Sequence, residues 1–328
     1  MRYRKLGKSS LTVSQIVLGC MTFTGDGNWG PQDEKDSIDT IRAALDAGIT
    51  AFDTAESYAE GLTERILGKG LGGDRHKVAI FSKVAAAHLG YQDVIDSCEA
   101  TLKRIGTDYL DLYQIHWPSK TVPLEETLSA LDKLKADGKI REIGVSNFGP
   151  VDLDGAIASG RVVSNQMGYN LLFRGIEHDI LPKCRENGIG ILTYSSLAQG
   201  LLSGKYKTPN DFPVGRARTK LFSGSRPGAR HGGSGCEELA FRAIDRIREI
   251  SQEIGEPMAN VALAWILAQE GISAVIAGGR TAEQALANAR AADLTLSPDT
   301  VAELSRATEE VKAFLGNDAD AWSFDRIR

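Results

Sequence analysis

Four side chains with chemistry to offer sit at or just beyond the ends of successive apolar runs. Asp53 follows "TAF", Lys83 follows "VAIFS", His116 follows "LDLYQI", and Tyr58 stands five residues past Asp53. Together they can move a proton to an oxygen. A phenol has a pKa near 10 and is a poor acid at neutral pH; a general acid works best when its pKa approaches the operating pH. An ammonium beside it stabilises the phenolate. At about 4 Å and an effective dielectric of about 20 that attraction is about 4 kcal/mol, or about three pKa units. The expectation is that Lys83 lowers the pKa of Tyr58. A partly buried lysine keeps its charge when a carboxylate pairs with it, and Asp53 is the candidate. His116 is then placed to donate a hydrogen bond to a carbonyl oxygen and polarise it. Singly, such residues are turn, surface or core residues. Their shared position at strand ends argues for one site.

Those ends meet if the runs are neighbours. "QIVLGC", "TAFDTA", "VAIFSKV", "LDLYQIHW", "IREIGVSN", "VSNQMGY", "GILTYSSL" and "SAVIAGG" read as strands. Segments with apolar residues at helical spacing separate them, such as "DEKDSIDTIRAALDAG" and "YQDVIDSCEATLKRIG". Strands alternating with helices pair in parallel. Eight such units in 328 residues predict an α/β fold, a closed (β/α)8 TIM barrel with its active site at the C-terminal strand ends. "MRYRKLGKSSLTVSQ" reads as a β-hairpin cap, "IEHDILPKCRENG" as one helix, and "SPDTVAELSRATEEVKAFLG" as an extra C-terminal helix. No composition break divides the chain, so residues 1–328 read as one domain. The polar, Gly-rich interval 199–235 reads as a long mobile loop over the site. The remaining strand ends present Ser146, Asn147, Asn165, Gln166, Tyr194 and Ser195.

Composition narrows the partners. The net charge is −5 and no arm is rich in Lys and Arg, which argues against nucleic acid. The longest apolar run, "VALAWILA", is too short to span a bilayer. The start lacks a signal-peptide block, and the protein reads as cytoplasmic. Cys20, Cys98, Cys184 and Cys236 are scattered, with no C-x-x-C and no metal-ligand spacing. Neither a disulfide framework nor a structural metal is expected. "GKGLGG" satisfies G-x-G-x-x-G, but it ends a helix and precedes a strand, the reverse of a dinucleotide fingerprint.

In order and spacing, "FDTAESY", "IFSKV", "DLYQIHWP", "IREIGVSNF", "NQMGYNLL" and "YSSLAQGLLSGKY" resemble the aldo-keto reductases, from about Lys5 to Asn288. The resemblance implies an NADP(H)-dependent enzyme that reduces small aldehydes or ketones, as a monomer or homo-oligomer. It implies Asp53, Tyr58, Lys83 and His116 as the catalytic tetrad. Ser146, Asn147 and Gln166 would hold the nicotinamide carboxamide, with Tyr194 stacked on the ring. Gly19, Cys20 and Met21 would line the cofactor from the first strand. Ser195, Leu197, Gln199 and Gly200 would wrap the pyrophosphate, and Lys205 and Arg218 would reach the phosphates; "GRARTK" can be registered in more than one way. Gly278, Gly279, Arg280, Gln284 and Asn288 resemble the adenosine end, with Arg280 a clamp for a 2′-phosphate. Met21, Trp29, Tyr58, Trp117 and the tail near Trp322 would shape the substrate mouth. Ser196 and Ala277 replace frequent prolines, and Ala287 a common glutamate.

Two rivals stay open. The chain also resembles NADP(H)-binding β subunits of voltage-gated potassium channels, which regulate a membrane partner. A barrel lyase with Lys83 as a Schiff-base nucleophile is the other, opposed by a carboxylate that keeps the amine protonated.

Overall fold

Strands apolar on both faces need cover on both sides. In the computed structural model, which describes residues 1–25, 28–322 and 327–328, helices give that cover outside and the barrel's own side chains inside. The barrel strands are β3 (Ile16–Gly19), β4 (Ala51–Asp53), β5 (Ala79–Val84), β6 (Leu110–Ile115), β7 (Ile140–Ser146), β8 (Val162–Gly168), β9 (Gly190–Tyr194) and β10 (Ile272–Gly278). They pair in parallel, and β10 closes on β3. An antiparallel hairpin, β1 (Tyr3–Lys5) with β2 (Thr12–Ser14), stands apart from the barrel sheet.

Two cores follow from strand alternation. Ala51, Phe81 and Leu112 point inward with Val17 and Leu192, and Leu6 and Val13 of the hairpin segment join them as a plug. Phe52, Tyr113 and Ile191 point outward to the helices. A strand repeats its facing every second residue. Asp53, two past Ala51, and Lys83, two past Phe81, therefore take the inward layer above the apolar plug. The register sets Asp53 opposite Phe81, which puts Lys83 one layer higher on the adjoining strand.

The outer helices are α1 (Glu34–Asp46), α2 (Leu62–Leu71), α3 (Tyr91–Ile105), α4 (Leu124–Ala136), α5 (Pro150–Ser159), α6 (Ile180–Glu186), α7 (Glu237–Glu253), α8 (Met258–Leu267) and α9 (Ala282–Arg290). "GKGLGG" ends α2, with Gly72 at φ 50° past its last turn. The segment expected to be one helix from Ile176 onward begins at Ile180 instead. Pro182 has no N–H to give and is tolerated in a first turn.

The tail forms two helices rather than one: α10 (Pro298–Ala307) and α11 (Glu309–Leu315). Arg174 packs at the break between them. Its Nη1 donates to the Ser305 carbonyl at 2.9 Å and to Thr308 Oγ1 at 3.2 Å, drawing on an acceptor the continuing helix would need.

The interval 199–235 is irregular, but part of it has its own small core. Phe212 and Phe222 stack at 5.2 Å and 7°, and Tyr206 meets Phe212 edge-on at 5.0 Å. Among the described residues no helix is long and apolar enough to cross a membrane.

Candidate active site

The inward layer brings the four titratable residues together. Lys83 is fully buried, and its Nζ donates to Asp53 Oδ1 at 2.6 Å, to the Thr54 carbonyl at 2.8 Å and to Tyr58 Oη at 3.2 Å. Three acceptors match the three N–H bonds of an ammonium. Gln166 Nε2 donates to the second Asp53 oxygen at 2.8 Å, and Gln114 Oε1 lies 3.4 Å behind that amide. The His116 ring stands edge-on to Tyr58, centroids 5.8 Å apart. Its Nδ1 lies 3.3 Å from Ser57 Oγ.

The electrostatics correct one expectation. Burial pushes the Tyr58 hydroxyl above its ordinary pKa, and the opposing pull of Lys83 does not overcome it. The sequence estimate counted attraction and left out desolvation, which penalises the phenolate. Burial alone would lower Lys83, but Asp53, then Tyr58, more than offset it and hold its pKa above the usual value. The amine is a cation, which opposes a Schiff-base role. Burial, and secondarily the charge of Lys83, drive His116 down to about 3, so its imidazole is neutral at physiological pH. Burial and nearby Asp53 raise the Cys20 thiol, which stays protonated and inert.

The other strand-end residues form a connected rim. Ser146 Oγ donates to the Gln166 carbonyl at 3.0 Å. Asn147, at a left-handed φ of 62°, donates to the His116 carbonyl at 3.0 Å and accepts from Tyr194 Oη at 2.7 Å. Asn165 instead brackets Phe148, donating to its carbonyl at 2.9 Å, and belongs to the wall. Tyr194 lies over Gly168, where a Cβ would come within 3.4 Å of the ring, and Trp322 stacks on it at 5.8 Å and 22°. Ser196 earns its place structurally: its hydroxyl reaches the carbonyls of Thr193 at 3.2 Å and Ile276 at 3.0 Å, stapling β9 to β10. Met21 is exposed in the short 3-10 helix Cys20–Thr24 that follows Gly19, while Trp29 and Trp117 are half-buried. Residues 323–326 of the expected tail lie outside the described residues.

Between β9 and the irregular interval the backbone makes a tight cup. Ser195, Ala198 and Gln199 have φ of 51°, 48° and 56°, and Gly200 has φ 102°. The turn closes on itself: Ala198 N–H bonds the Ser195 carbonyl at 2.7 Å and Gly200 N–H the Leu197 carbonyl at 2.8 Å. A cleft beside this cup is lined by Gly168, Ser195, Gln199, Arg216, Phe222 and Trp322, and the tetrad lies outside that lining. Leu197 adjoins the cup, and Lys205 is exposed just beyond it.

Arg216, which the sequence reading did not name, lines this cleft. Its Nη1 donates to the Gln199 carbonyl at 3.0 Å, its Nη2 to Tyr206 Oη at 3.2 Å, and its buried Nε has no hydrogen-bond partner among the described residues. Arg218 is not among the residues lining the cleft. The signal for Arg216 was "GRARTK" itself, whose two arginines one chain cannot rank without knowing which way the backbone turns.

At the far end, Gly278 leaves room against Thr22, where a Cβ would approach Cγ2 to 2.8 Å, and Gly279 precedes α9. Asn288 Nδ2 holds the Gly278 carbonyl at 3.0 Å, and Gln284 accepts from Arg280 N–H at 2.9 Å. The Arg280 guanidinium faces the loop before α1: Nε donates to Gln32 Oε1 at 2.8 Å, Nη1 to the Trp29 carbonyl at 2.6 Å, and Nη2 to the Pro31 carbonyl. Among the described residues, three of its five N–H groups make these bonds. Arg216 at the cleft, the Arg280 guanidinium and glycines where a Cβ would crowd its neighbours suit a long phosphate-bearing cofactor.

A family model, curated relatives and a solved structure resemble this chain. The family model described as "Aldo/keto reductase family" matches residues 15–309. The chain is 35% identical over 319 residues to the aldo-keto reductase YhdN of Bacillus subtilis, covering 94% of each. It is 34% identical over 290 residues to the methylglyoxal reductase YeaE of Escherichia coli, covering 86% of this chain and 89% of that one. A crystal structure of an aldo/keto reductase from Klebsiella pneumoniae in complex with NADP and acetate superposes with a TM-score of 0.74 at 31% identity, over 93% of this chain and 95% of that one.

Proposed function

The chain belongs to the aldo/keto reductase family, and from that premise we propose that it reduces aldehyde or ketone carbonyls to alcohols with NADP(H), Tyr58 acting as the general acid. One observation carries the reading: a single buried ammonium, Lys83, holds the Asp53 carboxylate at 2.6 Å and the Tyr58 hydroxyl at 3.2 Å. The NADP-bound relative from Klebsiella pneumoniae supports the cofactor.

When bound, the reduced nicotinamide supplies a hydride to the carbonyl carbon. Ser146, Asn147 and Gln166 offer the polar groups for its carboxamide, and Tyr194 a flat face. The cup from Ser195 to Gly200, with Arg216 and Lys205, suits the diphosphate, and Arg280 with Gln284 the adenosine end. The positive charge there favours a 2′-phosphorylated cofactor.

Tyr58 gives its proton to the substrate oxygen as charge develops on it. Burial keeps the phenol fully protonated at neutral pH, so the acid form is always present. An alkoxide is a far stronger base than a phenolate, so the proton moves downhill. The phenolate left behind sits against Lys83, and the Lys83–Asp53 pair needs no rearrangement to stabilise it. His116, neutral, donates a hydrogen bond to the same oxygen and steers the carbonyl toward Tyr58.

Tyr58→Phe tests the reading. Steady-state turnover of a small panel of aldehydes and ketones, methylglyoxal included, should fall by at least about 10²-fold. NADPH affinity, by fluorescence titration against NADH, should hold within about twofold, because the hydroxyl makes its contacts with Lys83. Normal turnover by this variant would remove Tyr58 from its role.

A further inference from the structure

The residue before Tyr58 touches the other half of the acid machinery. Ser57 Oγ lies 3.3 Å from His116 Nδ1, and among the described residues no other hydrogen bond to the ring is made. A neutral imidazole carries one N–H, on one nitrogen or the other. Which one decides whether the ring can donate toward the substrate or must accept from it.

A carbonyl oxygen can accept only. A serine hydroxyl can donate or accept. With the hydroxyl at Nδ1 and a carbonyl at Nε2, one arrangement satisfies both: the Ser57 O–H points to the Nδ1 lone pair, and the proton sits on Nε2. Donation into Nδ1 also polarises the ring so that Nε2–H becomes the stronger donor. We propose that Ser57 is a positioning residue that selects the Nε2–H tautomer of His116 and so makes it a donor to the substrate oxygen. This deepens the carbonyl-reductase reading and rests on it for the identity of the acceptor.

The turn carrying Ser57 is held firmly. Tyr58 N–H bonds the Ala55 carbonyl at 3.1 Å, and Ala59, Glu60 and Gly61 follow with φ of 47°, 53° and 74°. Three left-handed residues in a row leave the turn little freedom, so the hydroxyl and the phenol are placed together. Ser57 is exposed, and water can supply part of its role when it is removed. The expected loss is therefore moderate.

The test uses the full chain labelled with ¹⁵N-histidine. Two-bond ¹H–¹⁵N spectra separate the tautomers, and His116→Gln identifies this ring among the five histidines. The wild-type ring should be protonated at Nε2, Ser57→Ala should shift it toward Nδ1–H, and Ser57→Thr should restore it. In parallel, kcat for an aldehyde should fall about three- to tenfold in Ser57→Ala, the span of a neutral hydrogen bond, with KM nearly unchanged and Thr restoring the rate. A wild-type ring protonated at Nδ1, or a Ser57→Ala spectrum identical to wild type, overturns the proposal. The spectra need neither cofactor nor substrate. A tautomer shift without any aldehyde turnover would uphold the Ser57 assignment and sink the carbonyl-reductase reading instead.

Discussion

On the β4–β5 side of the barrel mouth, polar groups sit on strands and hold one another. Asp53 and Lys83 are inward positions of adjoining strands, and their ion pair is closed to water. On the β9–β10 side, polar groups sit on loops and lean largely on backbone carbonyls. Arg216 donates to Gln199, and Arg280 to Trp29 and Pro31. On the function proposed above, the difference follows from what each side would have to do. Stabilising a developing charge needs dipoles and charges that do not reorganise, and strands supply that. Receiving a large anion needs groups able to change partners, and an arginine bonded to carbonyls gains by meeting a phosphate, since charge-assisted bonds are the stronger.

The sharpest way to break this contrast is to remove the shared ammonium. Lys83→Met should abolish turnover, falling at least as far as Tyr58→Phe, and should also lower stability by about 3–5 kcal/mol, because Asp53 is left as a lone buried carboxylate. Thermal unfolding monitored beside kcat would show both. A variant that loses activity at full stability would mean the pair is less closed than its geometry indicates.

On the other side, Arg216→Ala should weaken NADPH binding by about tenfold and leave kcat at saturating cofactor within about twofold, since no tetrad atom touches it. Equal losses in kcat and affinity would erase the division of labour. A third outcome concerns pH. His116 has a folded pKa near 3 against 6.5 when free, so the unfolded chain binds the extra proton between those values. Its contribution to stability is complete above pH 6.5 and is lost as pH falls toward 3. His116→Gln should flatten that part of the acid limb in denaturant titrations. The smallest effect is expected at Ala59, a non-glycine residue at φ 47°. Ala59→Gly should relieve left-handed strain and stabilise the fold by up to about 1 kcal/mol, while a looser Tyr58 turn slows kcat slightly. Faster turnover would show that the strain does not serve the site.

Much of the acid side was legible in the chain. Asp53, Lys83 and His116 stand at the ends of short apolar runs that read as strands, and strand ends in a barrel converge whatever lies between them. The β9–β10 side was less legible. Ser146, Asn147, Gln166 and Tyr194 also mark strand ends, but Arg216, Arg280 and the left-handed cup lie in or beside loops. No periodicity tells which way a loop side chain faces. The split of the tail at Thr308 was hidden for a related reason: the side chain packed at the break, Arg174, is distant in sequence.

The sequence by itself determined the count and order of strands and which polar residues stand at their C-terminal ends. Those are local properties, set by the need to bury apolar runs. The tertiary structure decided the balance of energies at the site. Whether Tyr58 is made more or less acidic depends on desolvation set against Lys83, and desolvation belongs to the whole surrounding shell of atoms, which no stretch of sequence contains.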